Sequence, residues 1–158
     1  MQTALLTELR SRKGEIRTRW AELLHVEPVS SPLANPDALI HLINWTLQDF
    51  FNVLGQLASR HRVIVADLAD FKSLCPCGRN PLLAYFVAGQ QAVREALVLS
   101  QVSTVDLDPL ERDVSLHELD RAFNEVAHRE IGSFCGICQH RTAKMEPQHL
   151  LAHTHSHA

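Results

Sequence analysis

The cysteines are the residues best placed to do chemistry. All four fall in two close pairs, Cys75-Pro76-Cys77 and Cys135-Gly136-Ile137-Cys138. Cys-x-Cys with Cys-x-x-Cys is a ligand spacing, and four thiolates in tetrahedral array make a structural zinc site that is closed to water and inert to redox. An iron-sulfur cluster uses the same four ligands and stays open as the alternative, behind zinc. Arg79 and the start of a following helix would favour thiolate over thiol at Cys77, and Gly78 and Gly136 would give the backbone room to turn around an ion. Two plainer readings stand beside the metal: four reduced thiols acting as small core residues, and a redox pair at Cys135 and Cys138. The cysteines fall at helix ends rather than on core faces, and no strand-to-helix context of a thioredoxin-like motif surrounds them. His140 follows as Cys-x-x-Cys-x-His, which is not the haem-attachment spacing; it can replace one thiolate but reads more simply as a polar residue past the site.

Other constellations are less specific. Glu22-x-x-His25 and Glu125-x-x-His128 have the spacing of di-iron carboxylate ligands, with Asp49 and Glu95 as partners. At 100° per residue, however, all four carboxylates lie off the apolar stripes of their helices. His153, His155 and His157 alternate with small residues; they could collect zinc or nickel, and read first as a solvated tail. Trp45 projects away from its helix's apolar stripe beside His41 and Gln48, where it could mark a partner or homodimer surface. No Ser/His/Asp set, glycine-rich phosphate loop or nucleotide fingerprint is visible, so the reading leans away from an enzyme.

Composition sets the bounds. With 158 residues, 46% hydrophobic and 21% charged, the chain can bury a continuous core without metal or disulfide help. A net charge of -3 excludes the basic excess that nucleic-acid binding requires. Glu8, Arg10, Arg12 and Lys13 interrupt any signal-peptide core, and no run approaches the ~20 apolar residues of a membrane span. We expect a cytoplasmic protein without membrane or nucleic-acid partners, in a compartment where paired cysteines bind metal or cycle redox rather than form structural disulfides.

The elements that must position the cysteines are helical. Leu5, Leu6, Leu9, Ile16, Trp20, Leu23 and Leu24 predict one long helix from Thr3 to His25. Pro28, Ser30, Ser31, Pro32 and Pro36 make a loop. Asn35-Pro36 opens a second helix to about Ser59, with Leu39, Ile43, Leu47, Phe50, Leu54 and Leu57 on one face. Ile64, Leu68 and Phe71 suit a short extra helix, although Val63-Ile64-Val65 fits an extended segment equally well. Asn80-Pro81 repeats the start signal for a third helix to about Gln101, burying Leu82, Phe86, Gly89, Val93 and Leu97. After a connection from Val102 to Pro109, the fourth helix carries Leu116, Leu119, Phe123, Val126, Ala127, Ile131 and Phe134 inward.

A short connection favours antiparallel neighbours, so the third and fourth helices place one cysteine pair beside the other. Lengths of about 21 and 22 residues give both helices roughly 30 Å and ends of equal height. The expected architecture is all-α: an antiparallel four-helix bundle with a short extra helix and a four-cysteine metal site at one end. Residues 1–146 form the domain and 147–158 a flexible, histidine-rich tail.

Leu9-Arg10-Ser11-Arg12, Ile16 and Arg19-Trp20, followed by Ser31-Pro32-Leu33-Ala34-Asn35-Pro36 and a Leu/Ile-rich helix, resemble the N-terminal helical sensor domains of RsbR-type stress regulators and related histidine kinases. The resemblance covers roughly the first two helices, and the cysteine pairs depart from it. It implies a sensory or scaffold bundle and carries over no catalytic residue. Together these readings give a non-enzymatic, zinc-binding bundle with a signalling, sensory or protein-interaction role, its metal on Cys75, Cys77, Cys135 and Cys138 and its small-molecule ligand unidentified. The alternative is a redox or iron sensor using the same thiolates for an iron-sulfur cluster or a reversible disulfide.

Overall fold

The computed structural model describes residues 3–26, 35–57, 80–103 and 108–137. Every regular element among them is a helix: α1 Thr3–Ser11, α2 Lys13–Val26, α3 Pro36–Ile40, α4 Ile43–Gln56, α5 Leu82–Ser103 and α6 Pro109–Ile137. The chain is therefore all-α over this range. The expected short helix around Ile64, Leu68 and Phe71 and the histidine tail lie outside the described residues.

Three helices start where a side chain replaces the missing backbone acceptor. Asn35 Oδ1 accepts from Asp37 N at 3.1 Å, Asn80 Oδ1 from Leu82 N at 3.0 Å, and Asp108 Oδ1 from Glu111 N at 2.9 Å. At all three of these starts proline follows the cap, where its absent N–H costs nothing.

Two expected helices are each interrupted. The first is interrupted at the single residue Arg12, yet Arg12 N still bonds Glu8 O and Ile16 N bonds Arg12 O, so the helical ladder carries across the interruption. Ser11 Oγ donates to Glu8 O at 2.7 Å, competing with the backbone N–H of Arg12 for that carbonyl. The second breaks at His41–Leu42, where Leu42 N bonds Leu39 O in a tighter three-residue turn.

α2 packs along α5, α5 along α6, and α6 along α4; α2 also meets α4, and α1 rests on α5. Each of four helices contributes an aromatic ring to the middle of the core. Trp20 lies 4.7 Å from Tyr85 and 5.6 Å from Phe123, and Phe123 lies 5.6 Å from Phe50 and 5.7 Å from Phe86, centroid to centroid. All five side chains are buried. Such tilted and edge-on pairs add about 0.5–1.5 kcal/mol each beyond their buried area.

Trp20 ties α2 to α5 by a polar bond as well. Its Nε1 donates to Tyr85 O at 2.9 Å, inside the core. Outside the core, Arg19 clamps Glu95 with Nε–Oε2 at 2.6 Å, and Arg94 holds Asp120 through two bonds of 2.7 Å, joining α5 to α6.

Candidate metal centre

The Asn80–Cys135 junction is where the cysteine prediction meets the structure. Contacts along α5 and α6 run in opposite senses: Asn80 meets Ile131 and Cys135, while Gln90 and Arg94 meet Asp120. The two helices are antiparallel neighbours, and the start of α5 lies beside the end of α6. Their ends are not of equal height, because α6 has 29 residues and α5 has 22. The difference, roughly 10 Å at 1.5 Å per residue, leaves the last turns of α6 extending past Leu82. That overhang sets Cys135 level with Asn80.

Asn80 is buried and makes three bonds there. Its Oδ1 caps α5, and its Nδ2 donates to Ile131 O at 3.4 Å and to Cys135 Sγ at 3.3 Å. Cys135 itself is a free, buried thiol on the inner face of α6, with the helix running on through Gly136 to Ile137. Gly136 is thus a helical residue at its place in the chain and makes no turn. Cys75, Cys77 and Cys138, with Gly78, Arg79 and His140, lie outside the described residues. Among the described residues no group of three His, Cys, Asp or Glu side chains is arranged to hold a metal ion.

The di-iron arrangement is absent from the described residues for a visible reason. Glu22, His25 and His128 are exposed and Glu125 is half-buried, while the other two carboxylates are held by arginines. Asp49 pairs with Arg129, and Glu95 with Arg19. The Arg19 bond, followed by Gln91 Nε2 at 2.9 Å, holds the Glu95 carboxyl below its usual range. A di-iron site needs carboxylates converging in the core, and none of these four is buried there.

Sequence periodicity missed Tyr85. It neighbours the expected stripe residue Phe86, and its burial depends on a partner from another helix: its hydroxyl lies 2.8 Å from Thr46 Oγ1 on α4. Burial, with a smaller push from the Glu130 charge, raises the phenol above its ordinary range against the opposing pull of the Thr46 bond. Trp45 stands 80% exposed at the edge of the same region, on the outer face expected for it.

No protein-family model, curated protein sequence or solved structure matches this chain. None of the described helices is long and apolar enough to cross a membrane.

Proposed function

We propose that this chain is a non-enzymatic metal-binding helical protein in which Cys75, Cys77, Cys135 and Cys138 hold one zinc ion, with a signalling, sensory or interaction role for the helical body. In this reading the α1–α2 rod, α4, α5 and α6 make an antiparallel four-helix bundle, supported by the closed circuit of helix contacts from α2 through α5, α6 and α4 back to α2. The ion staples the start of α5 to the end of α6.

One observation carries the metal reading: the 3.3 Å approach of Asn80 Nδ2 to Cys135 Sγ. Cys77 precedes Asn80 by three residues and Cys138 follows Cys135 by three, and three residues reach at most about 11 Å. Both pairs are therefore tethered to one point of the fold. An amide donor on a ligand sulfur is also the outer contact that stabilises a metal-bound thiolate. Four thiolates leave a tetrahedral zinc no open position, so the ion holds structure and performs no reaction.

The test is a double-mutant cycle on thermal stability. Cys77→Ser and Cys135→Ser should each lower the melting temperature, and the pair together should cost little more than either alone, because one lost ligand already releases the ion. Strictly additive losses, or an unchanged melt for Cys77→Ser, would mean that the thiols act as separate packing residues. A brown colour after anaerobic purification would assign the site to an iron-sulfur cluster instead.

A further inference from the structure

A groove of about 310 Å³ opens where α4, α5 and α6 meet. Trp45, Thr46 and Asp49 line it from one face of α4, Tyr85 and Phe86 from α5, and Glu130 from α6; Leu42 just before α4, Leu82 of α5 and Val126 of α6 complete it. It has the size of a small-molecule site and the usual make-up of one, an apolar lining with a few convergent polar groups.

The polar groups share one property. Thr46 Oγ1 donates its single proton to Leu42 O at 3.2 Å, so in the 2.8 Å contact with Tyr85 the phenol is the donor and Thr46 the acceptor. That leaves the Tyr85 oxygen a lone pair for a third group. Asp49 and Glu130 present carboxylates, which only accept. Both bond the guanidinium of Arg129, so two acids share one base and the rim keeps a net negative charge. Apart from the Trp45 indole N–H, the groove offers a ligand acceptors and aromatic faces. An anion would meet repulsion and almost no donor. A protonated amine would meet carboxylates, a phenolic oxygen and the face of an exposed indole, the ring best suited to attract a cation.

We infer that this groove binds a small primary ammonium ion carrying an apolar body, the ammonium between Asp49 and Glu130 and the body against Trp45, Leu42 and Leu82. This goes beyond the zinc reading and is independent of it, since no cysteine lines the groove. It gives the sensory role a ligand class.

The experiment titrates the full chain with phenethylamine, its neutral counterpart 2-phenylethanol and its anionic counterpart 3-phenylpropanoate, following heat and tryptophan emission. Phenethylamine should bind saturably and shift the emission of Trp45, with a loss of about tenfold in affinity for the alcohol, the scale of one charge-assisted bond. Trp45→Phe should remove most of the emission change. Arg129→Gln frees both carboxylates and should tighten the amine severalfold, a sign that mere damage to the fold would not produce. Cys77→Ser should leave the affinity unchanged. Equal binding of amine and alcohol, preference for the propanoate, weakening by Arg129→Gln, or no saturation at millimolar amine would each overturn the proposal.

Discussion

Gly89 is the seat of Trp20: a Cβ at position 89 would lie 2.2 Å from Trp20 Cζ2 and 2.4 Å from Cε2. The indole lies flat on α5 because that one residue has no side chain, and there its Nε1 reaches Tyr85 O. Gly89→Ala gains helix propensity, about 1 kcal/mol, but must displace a ring packed between Tyr85 and Phe123. Overpacking of this kind costs about 1–3 kcal/mol, and here a rigid ring in a multi-ring cluster has no flexible end to yield. We predict a net loss of about 2 kcal/mol in urea unfolding and a fall of ~4–8 °C in melting temperature. An unchanged or raised midpoint would show that the indole has room to move.

Asn80 separates capping from junction. Asn80→Ala removes the cap on α5 and both donors toward α6, for a loss of about 1–3 kcal/mol. Asn80→Asp keeps an acceptor for Leu82 N but replaces the donor facing Ile131 O and Cys135 Sγ with a negative oxygen. The aspartate variant should therefore be the less stable of the two, despite being the better cap. If chemical denaturation ranks aspartate above alanine, the contact with α6 contributes less than the cap.

Tyr85 is the sole tyrosine, so phenolate absorbance reports one site. Burial raises its folded pKa above the unfolded value of about 10, so the stability of the neutral phenol is fully present below that pH and lost as pH rises through the folded value. Phenolate absorbance should appear in step with loss of helical circular dichroism under alkaline conditions. Tyr85→Phe should move alkaline unfolding to higher pH. Ionisation at the ordinary pH with helicity intact would contradict the burial.

Glu95 behaves in the opposite sense. Held down by Arg19 and then by Gln91, its carboxylate contributes stability above its unfolded pKa of about 4.3, and that contribution is lost as pH falls through the lower folded value. Glu95→Gln should be slightly destabilised at neutral pH and indistinguishable from the parent in acid. The pair is on the surface, so added salt should shrink the neutral-pH difference. A deficit that persists in acid would point to packing instead of charge.

Two of the three capped helix starts were legible because they are local: Asn35 and Asn80, each before proline, state the cap and the missing N–H in two letters; Asp108-Pro109 carries the same signal but fell in the expected connection. The breaks at Arg12 and His41–Leu42 were not legible, since the apolar period continues across both while the backbone changes. The antiparallel α5–α6 pairing followed from a short connection, but the overhang of α6 did not, because helix length past the last strong apolar residue leaves no periodic mark. Gly89 stood in the expected buried stripe without a reason, and the reason is Trp20, 69 positions away in sequence. Tyr85 escaped for a similar cause, its burial resting on a hydroxyl from α4. Of the four cysteines, position and pairing pointed to a shared site; the described residues contain only Cys135, joined to Asn80.

The most direct measurement is elemental analysis of the purified 158-residue chain, with metal and protein determined on the same sample. The zinc staple predicts about one zinc per chain, lost together with helical stability when any one of Cys75, Cys77, Cys135 or Cys138 becomes serine. A metal-free chain whose stability is indifferent to Cys77→Ser would contradict it.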